Sequence, residues 1–264
     1  MKNTINKQII LSTGELVATL SLCGYDHLAR QILNNFNLVN NEDEIMRFSD
    51  QTEMSLKQKG YWDENRGTRI ASGLENLLTL LVQSNKKIRC VRKSNILFIH
   101  LLNKDYSLLQ EISSDVHSFS FLKNTEGYTT SLSNHFQLGN PKGDAVSGLQ
   151  PFEVTSDVFD ELHNTETKLN DFYKNNSEMN ETFHTFLKDF YENNQEFDNL
   201  SFITSNYVKD TMEFDQVAFF LPSKNHVWHI EYEQIVDQKI LIIPVSERSY
   251  LNRIEGTIKE FFKK

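Results

Sequence analysis

At 264 residues the chain is long enough for one large domain or two small ones with a buried core. A formal net charge of −9 argues against a protein that tracks nucleic-acid phosphates, and no apolar run nears the roughly 18 residues that a membrane-spanning helix needs. The opening MKNTINKQII lacks a signal-peptide core, and Cys23 and Cys90 are too few for a disulfide scaffold or a zinc site, so a reducing cytoplasm is the expected home.

In chain order, the first predicted element is a helix that opens at Ser12. The hydroxyl caps it, Glu15 three residues on completes a capping box, and Leu11 and Leu16 stand at the positions of a hydrophobic staple. Leu16, Leu20, Cys23 and His27 share one stripe, which carries the helix to about Leu33. The acidic, Asn-rich residues 34–44 read as a loop. A short helix follows, capped by Ser49 or Asp50 and stopped by Gly60. Leu74, Leu77, Leu78 and Leu81 mark a strongly amphipathic helix, which SNKK breaks. The period then changes from 3.6 to 2, and IRCVR, ILFIHLL, YSLLQEI and HSFSFL read as an antiparallel meander with hairpin-length connections.

Residues 139–151 hold two of the chain's four prolines and three of its ten glycines, which makes them the expected linker. The order then returns. Thr155 caps a helix carrying Phe159, Leu162, Leu169 and Phe172, with Ser156 as a competing cap and Asp157 in the first turn. Phe183, Phe186, Leu187 and Phe190 define another helix. LSFITS, QVAFFLP, VWHIEY and KILIIPV read as strands, and a last helix from Ser246 buries Leu251, Ile254 and Ile258. The expected fold is α+β: an N-terminal half over 1–138, a linker over 139–151 and a C-terminal half over 152–264. Each half has helices and an antiparallel meander, the two halves are related as one compact unit with a pseudo-twofold axis, and a helix closes the chain.

No reaction chemistry stands out. In HVWHIEYE, alternation puts His229, Glu231 and Glu233 on one strand face, but no second cluster joins them and a polar strand face explains them. GNPKGDAVSG lacks the GK[ST] of a phosphate loop. The thiols of Cys23 and Cys90 fall on an apolar helix stripe and in a strand, where small buried thiols are common. The chain is therefore expected to be no enzyme, with no catalytic residue, cofactor or metal. Two features suit a protein partner. Asp160, Glu161 and Asp171 belong to an acidic helical run that suits a basic surface. Phe119, Phe121, Phe219 and Phe220 lie on aromatic strands that, if solvent-facing, suit an apolar helix.

The series LSTGELVATLSLCG, MSLKQKGYWDENRGTRI and LENLLTLLVQSNKKIRCVR resembles the first half of the EspG-type chaperones of ESX (type VII) secretion. The likeness includes a capped first helix, a Gly-aromatic-acid turn at Gly60, Tyr61, Trp62 and Asp63, and a leucine-rich helix feeding an antiparallel sheet. The run from Val217 to Phe262 resembles that family's closing sheet and C-terminal helix. The resemblance implies a non-catalytic cytosolic chaperone or adaptor that grips an α-helical export substrate and keeps it soluble. The Asn- and Lys-rich composition points to a low-GC Gram-positive relative, whose clients would be a WXG-like protein or the targeting domain of an LXG-type toxin. The competing expectation is an immunity protein that covers a cognate toxin. Neither reading calls for nucleic acid or membrane insertion.

Overall fold

The computed structural model describes residues 8–36, 42–139, 146, 148–162, 181–207, 211–231 and 239–263, and of residues 34–36, 42–47 and 161 the backbone alone. Ten strands among them form one sheet in the order β1-β5-β4-β3-β2-β7-β8-β9-β10-β6, accompanied by eight α-helices. The fold is α+β. The strand order holds one motif twice. A short leading strand runs into a helix, and the four-stranded meander that follows returns so that its last strand lies against the leading one. Thus β1 (Ile9–Ser12) pairs antiparallel with β5 (Val116–Lys123), and β6 (Phe152–Thr155) pairs antiparallel with β10 (Lys239–Ser246). The sequence reading saw only helix caps in these two leaders.

By contacts the chain forms two compact units. The first comprises the described residues of 1–87, 94–124 and 204–212. Ser12 caps α1 (Thr13–Leu22) in a full capping box: its Oγ accepts from Glu15 N–H at 3.1 Å, and its own N–H donates to Glu15 Oε2 at 2.6 Å. The staple residues Leu11 and Leu16 both enter the core. The predicted long first helix is two. Gly24, at φ +81°, ends α1, and Tyr25 N–H donates back to the Leu20 carbonyl before α2 (Asp26–Phe36) begins. The next helix, α3 (Glu42–Lys59), starts earlier than its cap residues suggested and stops at Gly60, φ +71°. Leu74, Leu77, Leu78 and Leu81 of α4 (Ser72–Gln83) complete a core with Leu56 and with Leu108 and Phe119 from the sheet. Those two strand residues belong to β4 (Tyr106–Ser113) and β5; β4 pairs with β3 (Asn95–Leu101) and β5 as the predicted meander requires, and β5 also takes β1 on its other side.

The second unit comprises the described residues of 88–93, 125–203 and 213–264. Its strands are most of β2 (Lys86–Arg92) and β7 (Asp198–Asn206), β8 (Thr211–Pro222) beyond its first two residues, β9 (His226–Glu231), β6 and β10. One sheet face, carrying Leu221, Trp228, Ile230, Ile242 and Phe152, packs under α6 (Ser156–Leu162) and α7 (Glu181–Glu192). Phe152 sits edge-on to Phe183 and Phe186, each at 5.6 Å, and the Trp228 indole N–H donates to Asp189 Oδ2 at 2.8 Å. Phe220 faces the other way, into Phe136 of α5 (Thr129–Phe136) and Tyr250 of the C-terminal α8 (Glu247–Lys263), each at 4.8 Å. The predicted caps hold, with Thr155 Oγ1 accepting from Val158 N–H and Ser246 Oγ from Ser249 N–H. The predicted positions Leu169 and Phe172 lie outside the described residues. Helix α5 has no counterpart in the sequence reading, because TTSLSNHF is poor in helix formers and offers only Leu132 and Phe136 as an apolar pair. Its contacts place it in the second unit, whereas the sequence boundary at 138 assigned it to the first half.

Candidate partner-binding groove

In the first unit the chain leaves a half-open groove of about 370 Å³. Helix α2 forms one wall through His27, Leu28 and Gln31. The end of α4 provides the floor with Leu81 and Val82, and Lys87 enters from the start of β2. The opposite wall is the end of β7 with Tyr207 and the start of β8 with Met212. Tyr207 is fixed edge-on against Tyr25 at 5.9 Å, and Tyr25 Oη is hydrogen-bonded to Thr79 Oγ1 at 3.1 Å, so that wall is tied to α4. Met212, at 62 % exposure, is more open to solvent than any other large apolar side chain among the described residues. Flexible methionine on a rim adapts to varied apolar partners. Burial holds the Lys87 ammonium below the ordinary lysine range, and its charge adds to the burial that drives His100 down to about 3.

A one-way relay crosses the first unit: His100 Nε2–H donates to Gln110 Oε1 (3.0 Å), Gln110 Nε2 to His117 Nδ1 (2.9 Å) and His117 Nε2–H to Thr13 Oγ1 (3.0 Å). Thr13 in turn donates to the Asp115 carbonyl (3.2 Å). This direction follows from Thr13, which has one proton to give and gives it to a carbonyl. Burial pushes His117 down to about 4, so both imidazoles are neutral. On β9, His229 and Glu231 do meet, at 3.2 Å, and Arg253 NH2 lies 3.5 Å from the same carboxylate oxygen, while Glu233 lies outside the described residues. Among the described residues no three His, Cys, Asp or Glu side chains gather as a metal site. Burial raises the Cys23 thiol to about 11 and the Cys90 thiol further, which leaves both protonated and poor nucleophiles at neutral pH.

No protein-family profile and no curated protein matches the sequence. The architecture does have a counterpart among solved structures. In fold, the chain is similar to EspG5. That protein is the type VII secretion system chaperone of Mycobacterium tuberculosis, in a structure with a PE25–PPE41 dimer. The match has a TM-score of 0.55 and covers 93 % of each chain at 6 % identity. An identity this low carries the architecture and transfers no residue. The EspG-like α+β fold with antiparallel sheet and C-terminal helix is thus observed, and no helix among the described residues is long and apolar enough to cross a membrane.

On this EspG5-like fold the aromatic strand residues separate. Phe119 is 1 % exposed in the first core, and Phe220 is fully buried between α5 and α8, so neither meets a partner without unfolding. Phe219 is half-buried against the core under α6 and α7. Phe121 shares a face with Phe119 but is 41 % exposed, diagonal to the equally exposed Tyr106. Asp160 is exposed on α6; the Glu161 side chain and Asp171 lie outside the described residues. No local sequence pattern marks the groove beyond the exposed alternation of Met212 and Phe214.

Proposed function

We propose that this protein is a chaperone or adaptor of type VII secretion. It works in the cytoplasm without catalysing a reaction, and it holds an α-helical export substrate through the groove of its first unit. The observation that carries the reading is the likeness in fold to EspG5 over nearly the whole of both chains, EspG5 being a chaperone in complex with a PE25–PPE41 dimer. The groove adds physical sense. An apolar helical tip aggregates if left in water, and a concave surface with Leu28, Val82, Tyr207 and Met212 shields it. A stable complex buries roughly 800 Å² per partner around such a centre, so the rim beyond the groove takes part as well. The client class we favour is a WXG-like protein or the targeting domain of an LXG-type toxin.

The test is co-purification of the full chain with the helical targeting domain of a candidate LXG-type client and, separately, with that client's toxic domain. We expect capture of the targeting domain, lost on Met212→Asp with the circular dichroism spectrum unchanged. Capture of the toxic domain alone overturns the reading in favour of an immunity protein.

A further inference from the structure

Thirty-six acidic residues outnumber 27 Lys and Arg in this chain, yet among the described residues no acidic side chain lines the groove. Its described titratable lining consists of Lys87, His27 and the phenol of Tyr207, none of them a carboxylate. Lys87 is half-buried and has no carboxylate or hydrogen-bond acceptor among the described residues. A lysine in that state is held at a cost: burial strips part of the water from its ammonium, and no described carboxylate replaces it. A purely structural lysine at the start of a strand has an easier solution, since its long stem lets the ammonium reach solvent or one of the many surface carboxylates. Here Lys87 instead lines the groove together with Leu81 and Val82.

We infer that Lys87 makes the groove selective for an apolar protein segment bearing one carboxylate, an Asp or Glu set among aliphatic side chains, which docks with its acid on the Lys87 ammonium. This rests on the reading of the groove as the docking surface and names the chemistry of its partner. Apolar walls alone accept any greasy segment. A desolvated cation at the floor penalises every segment that leaves it unpaired and rewards the one that pairs it, which is how a buried charge confers specificity. Gln31, Ser205 and Thr211 at the margin supply neutral hydrogen-bonding groups for the segment's polar edge. Binding through Lys87 also draws its proton affinity back up, so complex formation takes up protons at alkaline pH.

The test uses the full chain and two synthetic amphipathic helical peptides with a leucine face, identical except for one central Glu or Gln, with affinity read by fluorescence anisotropy. Wild type is expected to bind the Glu peptide at least about tenfold more tightly than the Gln peptide. Lys87→Met should abolish the difference, Lys87→Arg should keep it, and Met212→Asp should weaken both peptides. Equal binding of the two peptides to wild type, with both weakened by Met212→Asp, overturns the role of Lys87 and leaves the docking groove standing. A Glu preference that survives Lys87→Met assigns the carboxylate to another cation and overturns the inference. Failure of either peptide to bind, or binding indifferent to Met212→Asp, removes the groove reading and the inference with it.

Discussion

Lys59 Nζ lies 2.6 Å from Glu15 Oε2, and the same ammonium donates to the carbonyl of Ile10 at 3.4 Å. Ser12 N–H also donates to that carboxylate, and Ser55 Oγ donates to its second oxygen at 2.6 Å. Two outward backbone groups of β1, the strand at one end of the sheet order, are thereby occupied by side chains from α1 and α3: the Ile10 carbonyl and the Ser12 N–H. An open strand edge is a template for unwanted pairing, and a lysine across it blocks that route. Burial alone would raise the Glu15 carboxyl, but the bonds from Lys59, Ser55 and Ser12 together hold it below the usual range. Glu15→Ala removes a cap and leaves Lys59 facing an empty site. It should cost about 2–4 kcal/mol in urea unfolding and promote concentration-dependent association. Lys59→Met, from a more exposed position, should cost about 1 kcal/mol or less. Equal losses from the two changes would mean that the cap contributes nothing beyond the ion pair.

The buried histidines set the response to acid. His100, His117 and His135 are pushed by burial to about 3, 4 and 4, and His226 is lowered in the same sense. Unfolded, each takes up a proton near pH 6.5, so the unfolded chain binds more protons and stability falls as pH drops from about 6.5 toward 4. Asp198 works against this. Burial raises it to about 7, although Arg92 Nε stands 3.5 Å away, so the folded chain holds a proton there that the unfolded chain has lost. Its contribution to stability therefore grows as pH falls from 7 toward 4. Asp198→Asn should make the acid loss between pH 6.5 and 4 steeper, by at most about 1.4 kcal/mol per pH unit. His117→Gln should make it shallower. Denaturant melts at half-unit pH steps read both slopes, and a shallower profile for Asp198→Asn would refute the assignment.

What the sequence disclosed was local. The Ser12–Glu15 box, the leucine stripe of α4 and the period-2 meander each depend on neighbours within a few residues, and each was found. Gly24 was missed because Leu20, Cys23 and His27 keep helical spacing across it, and spacing does not report a positive φ. The leaders β1 and β6 are four residues long and become strands only by pairing with β5 and β10, 84 to 110 residues away. Alternation put Phe119 and Phe121 on one face, but no local pattern says which of the two is buried. The groove was hidden for the same reason: α2, α4, β2, β7 and β8 supply it from distant stretches, and Lys87 looked like part of a helix breaker.

Gly127 and Gly60 offer a controlled comparison. Both have positive φ, +75° and +71°. A Cβ on Gly60 would meet nothing within 4 Å, whereas one on Gly127 would lie 2.7 Å from Glu255 Oε1. That Glu255 carboxylate accepts from Thr129 N–H at 3.1 Å and from Thr129 Oγ1, which ties α8 to the start of α5. Gly60→Ala should cost about 1 kcal/mol, the strain alone. Gly127→Ala adds displacement of the carboxylate and should cost roughly 2–3 kcal/mol. Thermal unfolding of the two variants checks the ordering, and equal shifts would show that Glu255 moves aside freely.

The phenylalanines of β5 separate core from surface within one strand. Phe119→Asp places a carboxylate among Leu11, Leu108 and the α1 and α4 leucines, a loss above about 4 kcal/mol that should leave little folded protein. Phe121→Asp, two residues on and on the same face, meets water, and its stability should change by less than about 1 kcal/mol. Phe121 and Tyr106 nevertheless stand diagonal to each other and partly exposed, and aromatics are the side chains that most often anchor interfaces. If the groove is the principal docking surface, Phe121→Asp should retain a client that Met212→Asp releases, with both variants native by circular dichroism. Release by Phe121→Asp and retention by Met212→Asp would move the docking surface from the groove to the far end of the β4–β5 pair.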